Sequence, residues 1–487
     1  MVQITSKTSG SVTTLTVHFA GSENTEAIKV QKVGANWQVA EAIPGHYRTQ
    51  VDITRPEEGI RFSIDGLNLN LTSGGFYLAG NWDGSLYFEH EGACKIAKGS
   101  RLEVTESLFL NKSILFENEG ELRIGQDWTC LLTAIQNKGT IVVGQGWQVM
   151  ALQKFTNEAS GNFAMQRADI VSPATEVNNR GNIACVLDWK GEPCTFNNIA
   201  GGQVQIRGNC TLKALNNKSE FEPIISDFRQ IKQEVFDTEN KLVDLSNVGG
   251  HPGQWLTKYY LKLGYTSQEC RSDCGGQHFI GHKRVTVSEQ TITRNCGKKS
   301  VFGVMGDLKL MAETHVNACS EIFCGSNLNV VGVFKLQSSA PYRKTKIDEW
   351  KKTSSRGWHG REYFTDAFVQ KNLINDLIDF IPSTLELLGT STGKIETFIN
   401  GKADTTQPVV IKATEAKYEQ HKNALERLAG ERGIPLMLLV DEAEYEENLQ
   451  AMKVNPVFQT MVRQQELRQA RSAAPSGAPS RSLTPEQ

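Results

Sequence analysis

Apolar and polar positions alternate in short runs that return about every 20 residues between about residues 118 and 221. Each run follows a corner that contains Asn and Gly and carries two apolar residues: Leu122 and Ile124, Ile141 and Val143, Phe163 and Met165, Ile183 and Cys185, Val204 and Ile206. The glycines stand at 120, 139, 161, 181 and 201, in steps of 19, 22, 20 and 20. Such alternation puts both apolar side chains on one face of a short strand. The fixed period indicates a solenoid, whose units bury their apolar sides by stacking on one another.

The unit favours a parallel β-helix over other repeats. A leucine-rich repeat of similar length would contain Leu-x-x-Leu-x-Leu and helical stretches, which these coils lack. The alternative is a β-sandwich whose spacing is accidental. We expect each Gly to free its corner, where φ can be positive. We expect the Asn to bond its own backbone and to stack on the Asn of the next coil. The fold class predicted is therefore mainly β, a solenoid of ~20-residue coils.

The same pattern extends beyond this stretch and resembles a known family. Further copies are Asp65-Gly66 before Leu67, Gly306-Asp307-Leu308-Lys309-Leu310, and Ser326-Asn327-Leu328. Residues of about 60–340 resemble the haemagglutinin-repeat region of filamentous haemagglutinin-like exoproteins, which are two-partner-secretion adhesins or contact-dependent toxin carriers of bacteria. In that family a run such as Val285-Thr286-Val287-Ser288 resumes the β-helix after an inserted loop. The resemblance implies a right-handed β-helix, a secreted or bacterial cell-surface location, and adhesion linked to virulence.

Changes in pattern divide the chain into six parts. They are a β-rich N-terminal segment (1–60), the β-helix (61–222), an inserted loop or helical arm (223–284), a β-helix continuation (285–340), a helical or α/β module (341–460) and a disordered tail (461–487). The helical prediction rests on an apolar stripe from Phe364 to Ile381, on a capping box at 383–386, and on amphipathic spacing from Glu415 to Ala429. Strands are predicted at 408–411 and 435–440.

Composition and charge limit the functional classes and the cellular compartments that fit this chain. A net charge of −2 over 487 residues argues against a bulk nucleic-acid binder. No apolar run approaches 18 residues, so we expect no membrane span. The opening from Met1 to Gly10 is polar, so we expect that a signal peptide is absent or was trimmed. The ten cysteines are expected to be mostly free and buried, with Cys185 in the core beside Ile183. Free thiols favour a reducing compartment, which opposes the surface location.

One cluster and three short motifs could carry chemistry. Cys270, Cys274, His278 and His282 fit a zinc site, a Cys270–Cys274 disulfide or an unliganded loop, and the sequence leaves these open. Residues 389–395 resemble a phosphate loop but have three residues between the glycines instead of four and Ile395 in place of Ser or Thr. The acidic pair at 441–442 and the segment 357–363 are interpreted as a helix start and an interdomain linker. We therefore predict no catalytic residue, no cofactor and no bound metal.

Three functional classes remain. The first is an adhesive rod that binds a host-cell receptor, a glycan or sibling molecules. The second is a carrier of a C-terminal toxin, and the third is a polysaccharide-binding or polysaccharide-degrading β-helix. A lyase needs clustered acidic residues for calcium, whereas the coils carry scattered Arg123 and Arg207. The side chains of Trp128, Trp147 and Trp189 could stack on sugars, although packing is the commoner role. We predict adhesion by binding rather than by catalysis.

Overall fold

The computed structural model describes residues 1–42 apart from 20, 22 and 24, and residues 49–52, 55–219, 221–225, 227–236, 283–296, 298–356, 362–377, 379–404 and 410–433. The chain forms two compact units. The first comprises Met1–Glu220, Gly297–Ser338 and Pro382–Gln487, and the second comprises Phe221–Cys296 and Ser339–Ile381. Each unit is described by itself below.

Antiparallel strands open the first unit. They are β1 (Val2–Ser9), β2 (Val12–His18), β3 (Thr25–Val33), β4 (Asn36–Ala42), β5 (Thr49–Asp52), β6 (Ile60–Ile64), β7 (Leu67–Thr72) and β8 (Gly75–Trp82), with a 3₁₀ turn at Pro56–Glu58. Strands β1–β4 form one meander and β5–β8 form another. Strand β1 then pairs in parallel with β9, and β8 pairs with β10 and β11, all three of which belong to the coils that follow. These strands therefore cover an edge that would otherwise be free to aggregate.

The coils begin at residue 86. Their strands up to residue 218 are β9 (Leu86–His90), β10 (Ala93–Ile96), β11 (Arg101–Val104), β12 (Leu108–Asn111), β13 (Leu115–Asn118), β14 (Glu121–Ile124), β15 (Trp128–Leu131), β16 (Ala134–Asn137), β17 (Thr140–Ala151), β18 (Lys154–Asn157), β19 (Asn162–Ile170), β20 (Glu176–Asn179), β21 (Asn182–Cys185), β22 (Trp189–Ile199), β23 (Gln203–Ile206) and β24 (Cys210–Lys218). Successive coils pair in parallel and build three lateral sheets.

We call the sheets A, B and C. Sheet A contains β11, β14, β21 and β23, sheet B contains β9, β12 and β15, and sheet C contains β10, β13, β16, β18 and β20. The longer strands β17 and β19 run from sheet A into sheet B, and β22 and β24 run from sheet B into sheet C. In sheet A the apolar positions 122, 141, 163, 183 and 204 lie in register, which confirms the predicted solenoid.

The second unit is an antiparallel sheet. Its strands are β25 (Phe221–Ile225), β26 (Arg229–Phe236), β27 (Lys283–Cys296), and, after the coils have resumed, β33 (Tyr342–Arg356) and β34 (Glu362–Leu377). Strand β27 pairs with β25, β26 and β33, and β33 pairs with β34 over its whole length.

The coils resume at residue 301. The strands are β28 (Val301–Val304), β29 (Leu308–Leu310), β30 (Thr314–Ala318), β31 (Glu321–Cys324), β32 (Leu328–Ser338), β35 (Thr384–Leu387), β36 (Ser391–Ile399), β37 (Lys402–Ala403) and β38 (Ile411–Lys412). Strands β28, β31 and β35 extend sheet A, β29 extends sheet B and β30 extends sheet C, while β32 and β36 pass from sheet B into sheet C. Helix α1 (Glu415–Gly430) follows and confirms the helix predicted there.

A ladder of buried asparagines runs through sheet C, as the sequence predicts. Each Nδ2 lies 2.7–2.8 Å from the Oδ1 of the next Asn, in the order 118, 137, 157, 179, 198, 217 and 317. The amides also donate to backbone carbonyls of the corners, for example from Asn157 to Asn182. The step from Asn217 to Asn317 spans the inserted residues without a break in register. We call this row the inner Asn ladder.

Four of the five repeat glycines serve close approach rather than positive φ. None of the glycines at 120, 139, 161 and 181 has a positive φ. A Cβ on Gly139 would lie 2.0 Å from the carbonyl oxygen of Gly120, and one on Gly161 would lie 2.2 Å from Asn157 Oδ1. The expectation of a positive φ was therefore wrong at these four corners, whereas it is confirmed at Gly201, whose φ is 88°. The backbone of the stacked corners and the inner Asn ladder leave no room for a side chain.

Four local predictions were also wrong. The apolar stripe from Phe364 belongs to strand β34, and the capping-box residues at 383–386 lie at the start of β35. Spacings of four residues fit a strand as well as a helix, and the 15 paired positions of β33 and β34 decide for the strand. The proposed arm after 223 forms strands β25 and β26, and the run from Val285 lies in the antiparallel sheet rather than in a coil.

Candidate binding surface

The outer face of sheet C presents a column of amide and hydroxyl groups. Gln136, Thr156, Asn178, Asn197 and Asn216 each stand one residue before a member of the inner Asn ladder and therefore point the opposite way. They are neighbours in register on successive strands. All five are half-buried. We call this column the outer amide stripe.

Hydrogen bonds fix the side chains of the outer amide stripe. Asn197 Nδ2 donates to Asn178 Oδ1 at 2.9 Å, and Asn216 Nδ2 donates to Asn197 Oδ1 at 2.8 Å. Carboxylates at the margin add support, since Asn197 Nδ2 also donates to Glu176 and Gln136 Nε2 donates to Glu158 at 3.1 Å. The amides are thus ordered before any ligand arrives, which lowers the entropy cost of binding.

The same column leads towards the N-terminal strands and ends at a pocket. In register below Gln136 lie Glu117, Lys95 and Tyr77, and Lys95 pairs with Glu117. Tyr77 lines a pocket of about 510 Å³ with polar neighbours that include Asp52, Arg61 and Asn70. From Tyr77 to Asn216 seven strand spacings cover roughly 34 Å. An aromatic ring among hydrogen-bonding groups is a common composition for a site that binds an amphipathic ligand.

The outer face of sheet A is covered by helix α1. Leu425, Leu428 and Ala429 pack on small or apolar side chains of the sheet: Val142, Ala164, Ala184, Val186 and Met305. The ring of His421 stacks on Phe323 with centroids 4.4 Å apart. A Cβ on Gly303 would lie 2.6 Å from the Nδ1 of that ring, so the sheet is shaped to accept the helix. Thr414 caps the helix by accepting from the backbone N–H of Lys417.

Charges hold the first turns of α1 on sheet A. Glu321 Oε1 lies 2.5 Å from Lys417 Nζ and 3.5 Å from His421 Nε2, while Gln205 Oε1 lies 3.1 Å from His421 Nδ1. His421 and then Lys417 hold the pKa of Glu321 well below its usual range, against the opposing effect of burial. Sheet A is therefore not a free surface beneath the helix.

Burial shifts the pKa values of several side chains. Burial lowers the pKa of His90 to about 4. Burial also raises the pKa of Asp127 to about 6, although the backbone N–H of Gly146 donates to it. Burial raises the pKa of six buried thiols: Cys94, Cys130, Cys185, Cys194, Cys210 and Cys324. A thiol with a raised pKa is a poor nucleophile at neutral pH, so these cysteines are core residues.

The motifs proposed from sequence have mixed outcomes. The seven cysteines outside 270, 274 and 296 are free and buried, as predicted. Trp128, Trp147 and Trp189 are fully buried and pack against one another, so they cannot stack on sugars. The phosphate-loop-like residues 389–395 form a corner and the start of β36, with no helix after them. Cys270, Cys274, His278, His282, the segment 357–361 and the acidic pair 441–442 lie outside the described residues.

Sequence reasoning missed the outer amide stripe. Its signal was present, because each member directly precedes an Asn of the inner ladder. Within the described ranges no three His, Cys, Asp or Glu side chains are placed to hold a metal ion together. In the same part of the chain no helix has the length and apolar character needed to cross a bilayer. Comparison with protein-family models, with curated proteins and with solved structures found no match.

Proposed function

We propose that this protein acts by binding, as an adhesin-like β-solenoid, and that its partner is a polysaccharide. The observation that carries the proposal is the outer amide stripe, which continues in register to the pocket at Tyr77. Amides and hydroxyls both donate and accept hydrogen bonds, which suits the hydroxyl groups of sugars. A column with one strand spacing between members suits a linear ligand better than a small one.

The other lateral surfaces support the choice of sheet C. Helix α1 covers sheet A. On sheet B the outward residues Thr129, Gln148 and Asp169 are buried, at 0%, 3% and 4% exposed, whereas Lys190 and Asn329 on later strands are exposed. The members of the outer amide stripe keep exposed area. A ligand that lies along the solenoid would therefore meet an uninterrupted column of hydrogen-bonding groups on sheet C, whereas three buried residues interrupt the column on sheet B. A surface or secreted location belongs to the same proposal.

The test is affinity electrophoresis in gels that contain soluble polysaccharides, preceded by a glycan array to choose them. The variants are Tyr77→Ala and the double variant Asn178→Ala/Asn197→Ala, with Asn329→Ala as a matched control on an exposed position of sheet B. Loss of two hydrogen bonds should weaken binding about tenfold. The double variant should therefore migrate freely in a gel that retards wild type and control.

Equal retardation of all variants would refute a role for sheet C, and absence of any glycan ligand would refute the polysaccharide proposal. Tryptophan fluorescence checks the fold of each variant, because three Trp side chains lie fully buried in the same coils. Gel filtration in parallel distinguishes binding between sibling molecules, which would appear as self-association without added glycan.

A further inference from the structure

A second pocket lies beside the C-terminal end of helix α1 and shares no residue with the outer amide stripe. Its volume is about 380 Å³. The lining combines the corner between sheets A and B with the residues that follow the helix, and its polar members are Glu103, Thr105, Arg123, Gln145, Gln166 and Arg432. Two guanidinium groups and two side-chain amides therefore face one small space.

Gln166 is the first indication of a ligand. Its side chain is 2% exposed, and its Nε2 has no hydrogen-bond partner among the described residues. A buried amide N–H without an acceptor destabilises the folded protein. A ligand oxygen in the pocket that Gln166 lines would supply the missing acceptor.

Arg432 is the second indication. Its side chain is 16% exposed, and its nearest carboxylate, on Glu431, is 3.7 Å away and 60% exposed. Its Nη1 donates to the carbonyl oxygen of Leu428 at 3.1 Å, which also offsets the negative end of the helix dipole. A guanidinium presents five donors in a planar fork, so a single carbonyl leaves most of its capacity for another acceptor.

Arg123 completes the set. Its Nε donates to Glu121 and its Nη1 lies 3.5 Å from the carbonyl oxygen of Arg432, which holds the two arginines at one side of the pocket. Glu103, the acidic group of the lining, is paired with Arg101. Of the carboxylates nearby, Glu121 is engaged by the Nε of Arg123, which leaves the Nη groups of Arg123, and Glu431 is 60% exposed to solvent.

We infer that this pocket binds a small anion through Arg123, Arg432 and the Nε2 of Gln166. Carboxylate and phosphate groups share the chemistry required, since both accept paired hydrogen bonds from guanidinium groups. Inorganic phosphate and oxalate are the probes, compared by isothermal titration calorimetry at constant ionic strength with chloride as the background anion. Binding of phosphate alone assigns a phosphate ligand, and binding of oxalate alone assigns a carboxylate ligand.

The variants Arg123→Gln and Arg432→Gln should each weaken binding about tenfold or more, because each removes a charged hydrogen bond. Gln166→Glu should abolish it, because a carboxylate would occupy the anion's side of the pocket. Arg180→Gln is the matched control, since Arg180 is an exposed arginine of the solenoid with a carboxylate 3.9 Å away. Circular dichroism checks whether Arg432→Gln loosens the helix. If it does, the affinity of Arg123→Gln for the probes is the deciding measurement. No binding of either probe, or the same affinity in every variant, overturns the inference.

Discussion

The inner Asn ladder predicts that a central rung matters more than the end rung. Asn157 accepts from Asn137 and donates to Asn179 and to the carbonyl oxygens of Gly161 and Asn182. The substitution Asn157→Ala therefore leaves one N–H of Asn137 without its acceptor and the Oδ1 of Asn179 without its donor, while the other bonds of these two amides remain. At about 1–3 kcal/mol for each buried unsatisfied group, the free energy of unfolding should fall by about 4 kcal/mol.

Asn118 is the matched control at the start of the ladder. It donates to Asn137 and to the carbonyl oxygen of Thr140, but its Oδ1 has no hydrogen-bond partner among the described residues, and Ile96 stands in register below it. Asn118→Ala thus leaves one neighbouring group, the Oδ1 of Asn137, without its donor, and the acceptor that it removes was already unpaired. The expected loss is about 2 kcal/mol, roughly half that of Asn157→Ala. Both variants remove the same atoms, so the difference isolates the ladder.

The assay is urea denaturation followed by the fluorescence of the buried tryptophans at 128, 147 and 189, which belong to these coils. The midpoints are comparable if the slope with urea is the same in both variants. Solenoids can unfold coil by coil, and hydrogen exchange of the strand amides then gives the local value. Equal losses for the two variants would refute the argument that neighbouring asparagines stabilise one another.

Three further predictions concern the covered face and the thiols. Ala184→Arg places a long side chain under α1, so the backbone amides of Glu415–Gly430 should exchange faster while those of the coils do not; unchanged exchange would contradict the docking. The pKa of Glu321 is lowered by His421 and Lys417, so its contribution is full above about pH 4.5 and is lost as the pH falls further. Glu321→Gln should remove this part of the acid sensitivity of helix docking, and an identical pH profile would exclude it. With the other three cysteines replaced by serine, the seven buried thiols should react with a thiol reagent only after denaturation, and rapid reaction of the folded protein would show that they are accessible.

The sequence predicted the coils because their physics is local. Two apolar positions, a corner and an Asn recur within each unit, so the period near 20 residues needs no knowledge of the rest of the chain. The role of the glycines could not be read in the same way. Gly139 and Gly161 are needed because backbone and Asn side chains of stacked corners approach them, and that contact exists only after stacking.

The antiparallel strands and the face covered by α1 could not be predicted from local sequence, because each is determined by a partner far away in the chain. Strand β34 carries apolar residues at spacings that fit a helix, and its long pairing with β33 decided otherwise. The small residues Ala164 and Ala184 on the outside of sheet A were a usable signal, because outward positions of a coil are normally polar. Their meaning came from the helix more than 200 residues later that packs on them.

The unbroken step of the inner Asn ladder from Asn217 to Asn317 has a consequence for folding and for divergence. Most neighbouring coils meet across about 20 residues, so contact order is low, but this one closure spans 100 residues. Five times the loop length adds only about 1.4 kcal/mol of closure entropy. The corner after Asn217 is therefore a position where a whole module can be inserted at little thermodynamic cost, provided that its ends return to the next rung.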